Sequence, residues 1–186
     1  AGWLAAAQDS QGDGGFSGRY KLASGWSSSY PETTGYIIPT LLKLADHWGE
    51  PQWRDRAARA IEFLLGLQLA DGAFPGGEVL ENRTRPSPFN SAQILHGLTH
   101  WARSTGDGRA AAAAARCAAW LMSVQDADGA YRRHFYLDVA ATYAAHLSCW
   151  LAEYGDAFGD SAALASAERH LDWVLARQDK ATGWFD

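Results

Sequence analysis

Side chains capable of acid–base chemistry recur at helical spacing in three stretches of this sequence. When the stretches are aligned, Tyr36, Gln93 and Tyr143 share one level, and His96 and His146 lie one turn deeper. A helix that served packing alone would place Leu, Ile or Ala there, so the stripe predicts a polar cavity. The candidate catalytic residues are Glu32, Tyr36, His96, Tyr143 and His146. The alternative is that each histidine is a hydrogen-bonded residue of the core.

Cationic and aromatic residues are concentrated in the loops that precede these stretches. Because helix N-termini carry positive partial charge, such a loop cluster would favour a carboxylate, sulfate or phosphate group. Aromatic rings in the loops could stack on sugar rings. With Gln93 of the stripe, the candidate substrate-binding residues are Lys21, Trp26, Arg83, Arg85, Arg132, Arg133 and Tyr136. Ordinary solvated loop charges are the alternative, since Glu78, Glu81, Asp128 and Asp138 lie in the same loops.

Two kinds of reaction fit these residue types. A hydrolase needs an acid and a base on opposite sides of a bond. Epimerisation or β-elimination needs a base beside a carboxylate and a cation that stabilises the developing charge. Arginine together with tyrosine or histidine suits the second kind, but spacing does not choose between them. In either case the expected ligand is a saccharide or another anionic small molecule.

A repeated motif sets the positions of the helices that carry these residues. The motif contains an aromatic residue, an aliphatic stretch, a glutamine and a glycine turn. Its glutamines, Gln8, Gln68, Gln125 and Gln178, lie 60, 57 and 53 residues apart, and a nearly constant period identifies a repeat architecture. Glycine lets the chain leave a helix at positive φ, and the glutamine amide can bind backbone groups at the turn. The four copies are WLAAAQDSQGDGGF at 3–16, FLLGLQLADGAF at 63–74, WLMSVQDADGAY at 120–131 and WVLARQDKATGWF at 173–185.

The period predicts an all-α fold built from three helical hairpins and a fragment of a fourth. We expect residues 1–186 to form a single domain in which about three and a half hairpins pack in sequence. Because each repeat buries its apolar face against a neighbour, we expect the ends to be covered by remaining repeats of a longer chain or by a second copy. The inner layer should contain the helices that begin near Pro31, Phe89 and Leu137, and the outer layer those that end at Gln68, Gln125 and Gln178.

The composition argues against several classes of function. The net charge of −5 and the pI near 5.6 are unlike the basic patches of nucleic-acid binders. No apolar run reaches the roughly 18 residues of a membrane helix, so membrane insertion is not expected. The sequence has no CxxC or HExxH motif, and no metal or cofactor is predicted. Cys117 and Cys149 are predicted to be buried free thiols. No signal peptide is visible, so a bacterial cytoplasmic location is expected, with the first helix predicted to lack its front half.

The repeated motif resembles the glutamine and tryptophan repeat of the terpenoid cyclase and protein prenyltransferase superfamily, whose fold is an α/α toroid. This resemblance implies that the chain forms an incomplete (α/α) toroid of about three and a half helical hairpins. Nearly the whole chain is also similar to a family of largely uncharacterised bacterial proteins encoded among polysaccharide-biosynthesis genes. The segments that carry this second similarity are SYPETTGYIIPTLL, LQLADGAFPGG, FNSAQILHGL and VQDADGAYRRHFY. A more distant similarity is to the C-terminal helical domain of glucuronyl C5-epimerases.

These resemblances imply a carbohydrate-processing enzyme domain that acts on a uronic acid saccharide by epimerisation, lysis or hydrolysis. A non-catalytic glycan-binding or scaffold module of polysaccharide biosynthesis is the second reading, and a terpenoid cyclase-like enzyme is the third. The absence of a DxDD segment argues against a cyclase, and the absence of an Asp, Cys and His zinc set argues against a prenyltransferase. Only the general Tyr, Glu and Arg character matches these families, so their catalytic residues do not transfer one by one.

Overall fold

The computed structural model describes residues 2–80 and 84–185. Within these residues, seven α-helices alternate between two layers. The helices are α1 (Gly2–Asp9), α2 (Pro31–Trp48), α3 (Pro51–Leu65), α4 (Pro88–Thr105), α5 (Gly108–Val124), α6 (Ala145–Phe158) and α7 (Ser161–Leu175).

Helices α2, α4 and α6 pack side by side as the inner layer. Each of them is followed by an outer helix that packs back against it: α3 on α2, α5 on α4 and α7 on α6. This alternation confirms the predicted all-α architecture, an incomplete α/α toroid. The regular β-structure of the described residues is one short hairpin, β1 (Tyr20–Lys21) and β2 (Gly25–Trp26), in the first long loop.

The core lies between the two layers and is filled by aliphatic side chains. Ile38, Leu64 and Leu121 are among its fully buried members. The inner helices also approach each other closely, because α2 presents a glycine to α4. A β-carbon on Gly35 would lie 2.6 Å from the Cα of Ile94, which is far inside van der Waals contact. The glycine therefore sets the spacing of the helices that carry the candidate site.

Two of the inner helices begin at proline, which suits the first helical turn because its fixed φ is helical and its missing N–H needs no partner. These are α2 at Pro31 and α4 at Pro88. The predicted start of the third inner helix at Leu137 is wrong, because α6 begins at Ala145. Leu137 and Asp138 have φ values of 58° and 53°, a left-handed backbone that cannot continue a right-handed helix. Successive inner helices consequently start 57 residues apart, at Pro31, Pro88 and Ala145.

The repeated glutamines tie each turn to the next outer helix. Gln125 Nε2 donates to the carbonyl oxygens of Gly129, at 3.1 Å, and Ser166, at 2.9 Å. Its Oε1 accepts from Arg169 at 2.8 Å. The same pattern of two carbonyl acceptors and an arginine donor recurs at Gln8 and Gln68. The predicted role of the glutamine amides in binding backbone groups at the turns is confirmed.

No helix among residues 2–80 and 84–185 is both long enough and apolar enough to cross a membrane. Cys117 is a buried free thiol, as predicted. The prediction for Cys149 is wrong, because this thiol is exposed on α6.

Candidate functional site

The N-terminal ends of α2 and α4 and the loops beside them enclose a cleft of 490 Å³, which we call the mouth cleft. Its lining combines a carboxyl, a guanidinium, an imidazole and an amide with several aromatic rings. Such a mixture of apolar surface and few polar groups is typical of small-molecule sites. Its lining includes Tyr30, Glu32, Arg85, Phe89, Asn90, His134 and Tyr143.

Glu32 lies in the first turn of α2 and is the partly buried acid of the mouth cleft. Burial raises the pKa of its carboxyl group above the ordinary value, and a hydrogen bond with Tyr30 offsets part of this rise. The carboxyl group therefore keeps its proton to a higher pH than an exposed glutamate does. Retention of a proton is the property that a general acid requires.

Glu78 lines an adjoining cleft of 330 Å³, which shares Tyr30 and Gly77 with the mouth cleft. Its side chain is only 12% exposed. Burial acts to raise the pKa of Glu78, but hydrogen bonds from Ser28, at 2.9 Å, and from Arg19 outweigh it and lower the pKa. Glu78 is consequently a stable carboxylate.

The phenol of Tyr30 connects the two acids. Burial raises its pKa, and the negative charges of Glu32 and Glu78 add to the rise. Both carboxyl groups therefore lie close enough to Tyr30 to act on it. Their own pKa values are pushed in opposite directions, as in paired carboxylates that divide acid and base roles.

Asn90 supplies a buried amide to the same cleft, with only 6% of the residue exposed. Its Oδ1 accepts a hydrogen bond from Ser87 Oγ at 2.9 Å. Its Nδ2 makes no hydrogen bond in the described part of the chain, although the amide lies near enough to Tyr30 to counteract the rise in the pKa of the phenol. A buried donor without a full partner is costly, so Asn90 is well placed to donate to a ligand.

Gln93 organises a second group of residues farther along the inner helices. It is 4% exposed, and both ends of its amide are bonded. Its Nε2 donates to His146 Nδ1 at 3.1 Å, and its Oε1 accepts from Trp150 Nε1 at 3.0 Å. Gln93 therefore positions these two rings, and its role in binding a substrate stays a prediction.

His96 belongs to a cluster with His100 and Glu153, which we call the His–Glu cluster. His96 Nδ1 lies 2.5 Å from Glu153 Oε2, and His100 Nε2 lies 2.8 Å from Glu153 Oε1. Burial opposes ionisation of Glu153, but the bonds with His100 and His96 lower its pKa to about 2. The ring of Trp150 stacks on His96 with centroids 3.7 Å apart.

The predicted equivalence of His96 and His146 is wrong. The true spacing of the inner helices is 57 residues, so the residue that corresponds to His96 on α6 is Glu153. His146 corresponds instead to Phe89, whose ring lies 6.4 Å from it. His146 consequently sits beside the mouth cleft, whereas His96 lies two turns farther along its helix.

The predicted cation cluster is only partly available for an anionic ligand. Arg85 lines the mouth cleft, and the charge of Lys21 acts on Glu78. Arg132 is bound by Asp126, at 2.8 Å, and by Asp128, at 2.7 Å. Arg133 donates to the carbonyl oxygen of Ser123. Arg83 and Glu81 lie outside the described residues.

The aromatic residues predicted at the site lie in different parts of the structure. Tyr143 lines the mouth cleft and packs edge-on against Phe89 at 5.6 Å. Trp26 packs between Trp3 and Tyr20 in the first loop, with ring centroids 4.5 and 5.1 Å away. Exposed Tyr36 lies on α2 beyond the residues that line the cleft. The side chain of Tyr136 lies outside the described part of the structure.

Tyr30, Asn90 and Glu153 are absent from the sequence-based candidates. The 57-residue spacing, applied from His96, leads directly to Glu153, so a correct start for α6 would have revealed it. Tyr30 and Asn90 lie at the N-terminal ends of α2 and α4, which pack side by side. Glu78 is also absent from those candidates, and it reaches Tyr30 because the segment at 69–80 returns to the N-terminal end of α2, where Val79 N–H donates to the carbonyl oxygen of Ser29. The residue pattern contains no signal for the path of that segment.

The fold is shared with solved structures, although no protein-family model and no curated protein matches the sequence. One similar structure is a GH76 α-mannanase from Bacteroides thetaiotaomicron, with a TM-score of 0.70 and 13% identity, over 92% of this chain and 48% of that chain. Another is the ent-copalyl diphosphate synthase from Streptomyces platensis, with a TM-score of 0.67 and 24% identity, over 97% of this chain and 32% of that chain. The chain therefore spans less than half the length of either structure. At these identities the similarity shows the toroid fold alone.

Proposed function

We propose that this chain is part of a carbohydrate-processing enzyme that cleaves a glycosidic bond where the mouth cleft meets the adjoining cleft of Glu78. The observation that carries the proposal is the pairing of Glu32 and Glu78 around Tyr30, with pKa values moved in opposite directions. Glycoside hydrolysis uses two carboxyl groups in this way, one protonated and one ionised.

Each acid has a defined part in the proposed reaction. Protonated Glu32 donates its proton to the glycosidic oxygen, so that the leaving sugar departs as an alcohol. Ionised Glu78 acts as the base toward water or as the nucleophile at the anomeric carbon. Tyr30 lies between the two acids and interacts with both. The Asn90 amide donates to a sugar hydroxyl.

The proposed substrate is a saccharide that contains uronic acid. Arg85 and His134 line the same cleft and could pair with a sugar carboxylate. The rings of Phe89 and Tyr143 offer apolar faces against which a sugar can lie. Similarity to a GH76 α-mannanase supports the carbohydrate class, although a mannanase name does not identify the sugar here.

The test is turnover of oligosaccharide panels by the protein that contains this chain. Neutral mannans and uronic acid oligosaccharides should be compared with the wild-type protein and with Glu32→Gln and Glu78→Gln. Loss of a general acid or base typically costs about 10²- to 10⁴-fold in rate, so both variants should lose at least about 100-fold in kcat. Glu168→Gln, at an exposed position on α7, is the matched control and should keep full activity.

Three results would count against the proposal. Turnover that survives both glutamate substitutions would place the chemistry elsewhere. Saccharide binding without turnover in the wild-type protein would favour the glycan-binding module. Cyclisation of an isoprenoid diphosphate would favour the third reading, which the similarity to a diphosphate synthase keeps open, although the polar lining of the mouth cleft argues against it.

A further inference from the structure

Two histidines and one glutamate converge from neighbouring inner helices. His96 and His100 are four residues apart on α4, so both imidazoles project from one face of the helix. Glu153 reaches them from α6. One ligand atom from each of the three residues lies within 4.8 Å of the other two. The arrangement is separate from the mouth cleft, because His96 lies seven residues beyond Phe89, or about 10 Å along the helix.

We propose that the His–Glu cluster binds a divalent transition-metal ion of the Zn²⁺ type. Two imidazoles and one carboxylate are a donor set that suits such ions, whereas Mg²⁺ and Ca²⁺ prefer an all-oxygen environment. The proposal is independent of the function proposed for the mouth cleft.

The orientation of the donor atoms supports the assignment. His96 Nδ1 and His100 Nε2 both face the carboxylate of Glu153, at 2.5 and 2.8 Å, so all three donors already point at one another. A zinc ion bonds to such donors at about 2.0 to 2.2 Å, and neighbouring donors around it then lie about 3 Å apart. Admission of the ion therefore requires Glu153 to move outward from the two imidazoles.

Ring packing fixes one ligand in place. Trp150 stacks on His96 at 3.7 Å, with the ring planes 25° apart, and Gln93 holds the indole through its Nε1. Residues that orient a metal ligand in this way are a regular part of metal sites. The ion pairs of Glu153 among the described residues are those with the two histidines, so no lysine or arginine competes with an ion there.

Access and coordination number suggest what the ion would do. The side chains of His96, His100 and Glu153 are 13%, 32% and 27% exposed, so the cluster is covered but open to solvent. Three protein ligands leave a fourth position of a tetrahedral ion for water or for a ligand. The site therefore resembles in kind an open zinc site and not a closed structural one, which uses four protein ligands.

The experiment is titration of the metal-free protein with Zn²⁺. Calorimetry measures the binding, and thermal unfolding measures its effect on stability. We expect saturable binding of one ion per chain and a rise in the melting temperature that depends on the Zn²⁺ concentration. His96→Ala, His100→Ala and Glu153→Gln should each abolish this binding. His47→Ala removes an imidazole from the exposed end of α2 and should leave binding unchanged.

A second measurement requires no variant. Co²⁺ added to the wild-type protein should give the visible absorption of a four- or five-coordinate ion with nitrogen and oxygen ligands, and Zn²⁺ should displace it. Circular dichroism of each metal-free variant checks that it folds.

The inference is overturned if the folded wild-type protein shows no saturable Zn²⁺ binding. It is also overturned if the affinity is unchanged in Glu153→Gln and both histidine variants, which would mean an adventitious ion only, or if Mg²⁺ binds more tightly than Zn²⁺.

Discussion

The turns anchored by the repeated glutamines and the inner layer of helices follow opposite rules. We call these turns the joints, and they are numbered in chain order from Gln8, Gln68, Gln125 and Gln178. In the first three joints the same bonds recur: a glutamine donates to two carbonyl oxygens and accepts from an arginine. On the inner helices, equivalent positions hold different residues, such as Pro39, His96 and Glu153. Residues that recur in every repeat thus hold the repeats together. Positions that differ between repeats carry the candidate functional residues.

The fourth joint is a natural control within the molecule. Gln178 donates to the carbonyl oxygen of Gly183 at 3.0 Å, but the described residues contain no further outer helix for it to bind. In a protein that consists of residues 1–186, a substitution in one of the first three joints should therefore cost more than the same substitution in the fourth.

The largest effect is expected from Gly72→Ala in the second joint. Gly72 has a φ of 97°, and a β-carbon there would lie 2.5 Å from the carbonyl oxygen of Arg116. The unfavourable backbone conformation costs roughly 1–2 kcal/mol and overpacking roughly 1–3 kcal/mol, so we expect a loss of about 3 kcal/mol. Gly183→Ala has a similar φ of 76° but no atom closer than 4.0 Å, and should cost about 1 kcal/mol. Equal losses in urea unfolding would show that close packing at the joint has no energetic weight.

The next effect is expected from Gln125→Ala. This change removes the Gln125 donor from the carbonyl oxygens of Gly129 and Ser166 and the acceptor of Ser166 Oγ and Arg169. The Gly129 oxygen keeps His170 Nδ1 as a partner, so the cost is that of several lost bonds at about 0.5–1.5 kcal/mol each. We expect a loss of about 2 kcal/mol, measured by chemical unfolding. Gln178→Ala removes a single, more exposed bond and should cost less than about 1 kcal/mol. A larger loss at Gln178 than at Gln125 would contradict the proposed role of the joints.

The third effect concerns pH and tests the inner layer. Because burial raises the pKa of Glu32 above its ordinary 4.5, the folded state binds this proton more tightly than the unfolded chain does. The free energy of unfolding should therefore fall as pH rises from 4.5 through the folded-state pKa. Glu32→Gln cannot titrate, so it should remove this slope and make the variant more stable than wild type at neutral pH.

Thermal unfolding across this pH range measures the slope. The difference between the two proteins should shrink toward acid, where both side chains are neutral. The exposed control Glu168→Gln should follow the wild-type curve. If Glu32→Gln is less stable than wild type at neutral pH, the carboxylate is stabilised by the cleft and the assignment of Glu32 as the acid fails.

The sequence predicted the joints well because their determinants are local. A glutamine, a glycine of positive φ and an aromatic residue lie within one short segment, so the pattern is visible without knowing what it contacts. The outer helices and their order follow from it. Pro31 and Pro88 likewise identify the starts of two inner helices, since proline favours the first helical turn.

The candidate site could be predicted only in part, because it depends on the register between helices. The sequence brings Glu32, Arg85 and Tyr143 to one cleft through the shared N-terminal ends of the inner helices. The left-handed residues Leu137 and Asp138 delay α6, and no proline indicates its start. An error of two turns in α6 consequently paired His96 with His146 and hid Glu153.

The smallest effect is expected from the pair formed by Gln93 and His146. Gln93 Nε2 donates to His146 Nδ1 at 3.1 Å, and Gln93 is almost fully buried. His146→Leu removes the acceptor and leaves a buried donor unpaired, which should cost about 1 kcal/mol. If the imidazole served only a ligand, the same change would leave the stability unaltered or raise it. The His146→Leu variant therefore distinguishes an imidazole that stabilises the fold from one that serves only to bind a ligand.

A double-mutant cycle isolates the contact from other effects of the leucine. With Gln93→Leu already present, the donor is gone, and His146→Leu should then cost little further stability. We expect a coupling free energy of about 1 kcal/mol between the two positions, measured by urea unfolding of the four proteins. A coupling near zero would mean that the bond contributes nothing, and that Gln93 holds Trp150 alone. In that case the hydrogen bonds of Gln93 would place aromatic rings without stabilising the fold. The glutamines of the joints, by contrast, are expected to stabilise it.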